Sequence, residues 1–246
     1  MRIAVRDDGD GIAPEHLPHV FEPCACKRLA TGNVQSTSSG TTLSQAGRQQ
    51  RTSTGATVRM PPIKPGDLSD EQRPLDEQAR RIMDGQRVPF TSTDEDGALV
   101  GPFPALLRFP RLARPLLEWF TTVAGESVLP ARVREVAILA TGARYGAAYE
   151  LYSHSRVASA IGLSSAVVAG LVAGQRPSGL TPEQEIAHDV AACLYTGGPL
   201  PGALYRAAVG CLGAAGTAEL VFLIAQYTGI SLVLNAYDVP LPADAE

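Results

Sequence analysis

Large rings and charge are both scarce in this sequence: aromatic residues make up 6% of it and charged residues 19%. So few aromatics leave a core of small and aliphatic side chains, and the abundant alanine suits closely packed helices. A basic excess is also missing, with 21 Lys and Arg against 25 Asp and Glu, a net charge of −4. That balance argues against nucleic acid as a partner, because phosphate binding needs a positive face. Cysteine is sparse, and none of the four has metal-ligand spacing: Cys24 and Cys26 form a C-x-C, while Cys193 and Cys211 stand apart in apolar text. They read as reduced thiols of a cytoplasmic protein. No metal or cofactor is called for.

Two further absences narrow the class. The first eight residues lack the apolar stretch of a signal peptide. The most membrane-like run, 218–237, is interrupted by Glu219, Gln226, Thr228, Gly229 and Asn235, whereas a span needs about 20 uniformly apolar residues. It reads as a buried helix at a subunit interface, not as a membrane segment. After Met60 few residues alternate with the two-residue period of a strand. The expected fold is all-α.

What is present is a series of helix signals. Ser69 with Gln72 three residues later reads as a capping box. Gly101-Pro102-Phe103-Pro104 opens a new unit. Ala105–Phe109 and Leu112–Ala124 read as apolar helices separated at Pro110, and the single tryptophan, Trp119, is assigned to the core. A helix is expected from Ser164 to Gly174. Another opens at Thr181-Pro182, where a cap precedes a proline. Two more are expected over 201–211 and 217–235.

The chemistry concentrates between Pro130 and Gly162. Apolar residues recur there at three- and four-residue steps, as on buried helices. Gly142 and Gly146 weaken the middle, so two helices with a break near 144–146 are expected, and Gly162 reads as a C-terminal cap. Glu150 and His154 stand four apart and share a helix face. A carboxylate beside an imidazole orients the ring, fixes its tautomer and favours its charged form. Glu135, on the preceding helix, is placed to fold back toward them. The structural alternative is an i, i+4 pair that only packs. Charged groups are rarely buried unless paired, and all three fall in alanine-rich helices.

These residues carry a resemblance. Pro130-Ala131-Arg132 through Glu135, Tyr149-Glu150 with His154, Ala158, Gly162-Leu163-Ser164, and Asn235-Ala236 before Pro240 resemble the carboxymuconolactone decarboxylase family, which shares its fold with the alkylhydroperoxidase AhpD. The resemblance covers residues from about 103 to 242 and implies an AhpD-like helical domain over 63–246. In AhpD-like members a glutamate precedes Cys-x-x-Cys, and a histidine follows four residues after the second cysteine. Here the glutamate falls on Glu135, the histidine on His154, and the cysteine positions on Ala147 and Glu150. Peroxide reduction of the peroxiredoxin kind needs a thiolate and a resolving thiol, so that activity is disfavoured.

The resemblance implies a cofactor-free lyase or isomerase acting on a small carboxylated lactone or a related cyclic compound. His154 would donate the proton, Glu150 would orient it, and Glu135 would be a second acid or base. Tyr149 is a candidate for substrate contact, and Arg144 or Arg156 for pairing with a substrate carboxylate. A non-catalytic oligomer that binds a small molecule is the alternative. A homo-oligomer, a trimer or hexamer, is expected in either case, because the helix through 221–234 is too apolar to stand exposed.

The first 23 residues carry a different resemblance. Asp8-Gly9-Asp10-Gly11 and Val20-Phe21-Glu22-Pro23 are similar to pieces of the sensor histidine kinase ATP-binding domain. That domain's asparagine-bearing helix and Gly-x-Gly lid are missing, so 1–23 is expected to be a non-functional remnant. Residues 24–62 are rich in Ser, Thr, Gly, Gln and Arg, and are expected to form a disordered linker.

Overall fold

The computed structural model describes residues 58–245 except Arg87. The kinase-like stretch and nearly all of the expected linker lie outside the described residues. Among the described residues the fold is all-α. Eight helices run in order: α1 (Arg73–Gln86), α2 (Phe103–Arg108), α3 (Pro110–Glu126), α4 (Ala131–Tyr145), α5 (Ala148–Ala160), α6 (Ser165–Val172), α7 (Pro182–Leu194) and α8 (Gly202–Ala236). The one β-type pairing is an isolated bridge between Thr93 and Leu99.

The helix boundaries follow local chemistry. Ser69 and Gln72 satisfy each other's backbone: the Gln72 N–H donates to Ser69 Oγ at 3.3 Å and the Ser69 N–H to Gln72 Oε1 at 2.9 Å. Thr181 and Gln184 form a second capping box, with Pro182 in the first turn of α7. Pro110, which has no N–H to continue α2, starts α3 instead. Gly146, at φ 62°, closes α4 in the left-handed conformation and lets α5 begin two residues later.

The two expected C-terminal helices are joined into α8, which breaks at Gly213, where φ 74° and ψ 170° are not helical. Helix α8 is long and apolar enough to cross a membrane by length and composition alone. Its inner side packs on α4 and α7 and buries Thr217, Gln226 and Ser231 among Leu220, Leu223 and Ile224.

Three apolar groupings hold the helices together. Val136, Leu139, Leu171, Val190 and Leu220 centre one core around α4. Leu75, Leu107 and Leu117 centre a second, formed by α1, α2 and α3. Ala147, Tyr149, Tyr152, Ile230 and Leu234 form a third, with Phe90 and Phe120 packed against it.

Trp119 departs from the expectation of a core residue. It is half-buried and meets Phe222 edge to face at 6.3 Å. Phe222 itself is 61% exposed. The outer face of α8 carries Ala218, Val221, Phe222, Ala225, Gly229 and Leu232, all exposed and none charged.

Candidate functional site

The Gly146 turn folds α5 against α4, and this places Glu135 beside His154. Glu135 Oε2 lies 2.8 Å from His154 Nδ1. The glutamate is buried, and 17% of the His154 side chain is exposed. Burial opposes charge on the ring. The charge on Glu135 and its hydrogen bond outweigh that, with a further contribution from Glu150, and hold the imidazole above its ordinary value of 6.5. With Nδ1 engaged by Glu135, Nε2 is the nitrogen left for a ligand. Tyr227, on α8, stands edge-on to the ring with centroids 5.0 Å apart.

Glu150 corrects the expectation that it orients His154. The shared helix face is as expected, but long helical side chains lean toward the N-terminus. Glu150, the earlier of the two, therefore leans away from His154. Its Oε2 accepts a hydrogen bond from Ser231 Oγ of α8 at 2.9 Å. Its Oε1 is buried with no hydrogen-bond partner among the described residues. Burial pushes this carboxyl up to about 8, against the pull of His154 and of the Ser231 hydroxyl. At neutral pH it is therefore a neutral acid beside the hydrogen-bonded Glu135–His154 pair.

Gly142 explains the close approach of α5. A Cβ there would stand 3.1 Å from Glu150 Oε1 and 3.1 Å from Leu151 Cδ2. The glycine that weakens α4 in sequence gives room to the buried carboxyl.

Glu150, Ser153, His154, Tyr149 and Tyr227 edge a cavity of about 110 Å³. Its other walls are apolar and include Met83, Phe103, Leu106, Leu117, Phe120 and Val157. The Tyr149 hydroxyl is already committed, donating to the Thr91 carbonyl at 3.0 Å. Burial pushes its pKa up from the ordinary 10, so it stays a phenol.

The two expected carboxylate-binding arginines lie elsewhere. Arg144 lines a separate cavity of about 580 Å³ with His188 and Tyr195. Arg156 donates to the Asp244 carbonyl at 2.5 Å and lies 4.1 Å over the Tyr152 ring, which ties the C-terminal segment to α5. Neither lines the cavity at His154, and no other Lys or Arg among the described residues does.

Cys193 and Cys211 are both free, and neither lines this cavity. Sequence reasoning missed Tyr227 and Ser231. Their four-residue spacing, inside an otherwise apolar helix, was the available signal.

Helix packing and site together define a class: an all-α protein in which a buried carboxylate–imidazole pair borders a small apolar cavity. Among solved structures, a cysteine-to-alanine variant of the debrominase Bmp8 in complex with 2,3,4-tribromopyrrole is similar to this chain. The TM-score is 0.61 at 15% identity, over 78% of this chain and 96% of that one. At that identity the likeness speaks for the helical fold alone. No protein-family model matches the sequence, and no curated protein matches it.

Proposed function

We propose that this protein is a cofactor-free acid–base enzyme acting on a small cyclic compound, with His154 as the group that moves the proton. The observation that supports this most is the 2.8 Å Glu135–His154 pair at the edge of an otherwise apolar cavity. His154 Nε2 takes a proton from a ring atom, Glu135 stabilises the imidazolium that forms, and the proton is returned to another atom of the same ring. The lyase reaction implied by the family resemblance would use the same acid. There the C–CO2 bond breaks, its electron pair is held as an enolate, and His154 protonates the carbon. A carboxylated lactone remains the substrate of that version, although the two arginines expected to bind its carboxylate stand outside the cavity.

Alkylhydroperoxidase activity has no support at the site among the described residues, because Cys193 and Cys211 both stand outside the cavity. A non-catalytic oligomer that binds a small molecule is the second reading, favoured by the uncharged outer face of α8. On either reading we place the protein in the cytoplasm as a homo-trimer or hexamer joined through that face.

The test is proton exchange in D2O with a panel of carboxylated lactones, uncharged lactones and cyclic enones, followed by NMR. Deuterium should enter a ring position of at least one of them with the native protein and fail to do so with His154→Gln. Exchange at the same rate in that variant would sink the reading.

A further inference from the structure

The cavity at His154 is closed to charge of either sign except at one edge. Most of its walls are aliphatic and aromatic, and among the described residues that line it none is cationic. The ionisable groups it does meet are His154, whose Nδ1 is engaged by Glu135, Glu150, and the phenols of Tyr149 and Tyr227, which burial holds protonated. A carboxylate entering this space would lose its hydration without gaining a counter-charge from any described lining residue. An uncharged ring meets the opposite situation. Its faces contact Met83, Leu106, Leu117 and Val157, and a single N–H or O–H at its rim meets the free nitrogen of His154. The volume sets the scale: at about 110 Å³ the cavity is smaller than the dry apolar cavity of about 150 Å³ that holds benzene, so it takes a single small ring and little more.

We infer that the ligand of this cavity is a small uncharged ring bearing one weakly acidic N–H or O–H, and not a carboxylate. The inference rests on the acid–base reading of His154 and restricts the substrate class of the same site. It moves the chemistry from loss of a carboxylate toward proton transfer on a neutral ring.

Matched probes test it. Phenol and benzoate share a ring and differ in charge at pH 7. Their binding to the full-length protein is measured by titration calorimetry, with the imidazole nitrogens of His154 followed by NMR. Phenol should bind saturably, at least tenfold more tightly than benzoate, and should shift the Nε2 resonance. Arg144→Gln should change neither affinity. Val157→Phe, which fills the cavity, should abolish phenol binding while the helical circular dichroism stays unchanged. The proposal is overturned if benzoate binds as well as phenol, if neither binds, if Arg144→Gln weakens the binding, or if folded Val157→Phe still takes phenol. Phenol bound without any change at His154 would leave the neutral class standing and count against His154 as the proton carrier. Benzoate preferred with a shift at His154 would do the reverse.

Discussion

Glu135 and His154 stand 19 residues apart in sequence and 2.8 Å apart in space, on two helices joined by one left-handed glycine. This hydrogen-bonded pair stands at the edge of the apolar cavity. Its partner in the same cavity, Glu150, is held neutral by burial at ordinary pH.

Replacing Glu135 by Gln keeps the shape and removes the charge. The pKa of His154 should fall, because burial then acts on the ring with less opposition. A folded value raised above 6.5 contributes stability that is complete below 6.5 and is lost as pH rises through the folded value. Glu135→Gln should reduce that contribution. Proton-transfer activity should drop on the order of 10²- to 10⁴-fold, as expected when an oriented acid–base group is disabled. NMR titration of the ring and turnover at two pH values check both.

Glu150 has a linkage of the same sign. Its folded value, about 8, lies above its ordinary 4.5, so the folded state holds the proton more tightly than the unfolded chain. Stability should therefore fall as pH rises from about 4.5 to about 8, by an amount on the order of a few kcal/mol. Glu150→Gln should flatten this slope and melt higher than the native protein at pH 9. Equal melting curves at pH 5 and pH 9 for both proteins would contradict the buried-acid assignment.

Gly101 lies against the face of Tyr149. Its φ is +71°, and a Cβ there would stand 2.5 Å from the tyrosine ring. Gly101→Ala should cost roughly 2–4 kcal/mol, combining left-handed strain with overpacking. Chemical denaturation measures the loss. The hydrogen bond from Tyr149 to Thr91 should weaken with it, because the ring must move to make room.

The outer face of α8 offers a test of assembly. Phe222 is 61% exposed and its nearest aromatic partner is the half-buried Trp119. Phe222→Asp places a charge at the middle of that face with little consequence for the monomer's core. Light scattering should show the native protein as an oligomer and the variant as a smaller species. A native protein already monomeric would remove the proposed interface.

Much of the helical framework was legible because its signals are local. Capping boxes at Ser69 and Thr181, Pro110 and the glycines near 146 and 162 act over a few residues, and the helix ends lie beside them. Glu135, Glu150 and His154 were also recognisable, as charged groups in alanine-rich helices. Their connections were less so. Spacing set Glu150 and His154 on one face, but side-chain direction on the helix turned Glu150 toward Ser231. Trp119 was assigned to the core, yet it is only half-buried and its ring meets exposed Phe222.

The sequence by itself determined an all-α chain, the ends of most of its helices, and the presence of a proton-handling group on α5. Those features depend on backbone capping and on three- and four-residue periodicity, which act within one helix. Tertiary structure alone decided that Glu135 pairs with the imidazole, that Glu150 is buried against Gly142 and Ser231, and that both candidate arginines face away from the cavity. Each of these depends on which faces of α4, α5 and α8 meet, and burial then sets which carboxyl keeps its charge.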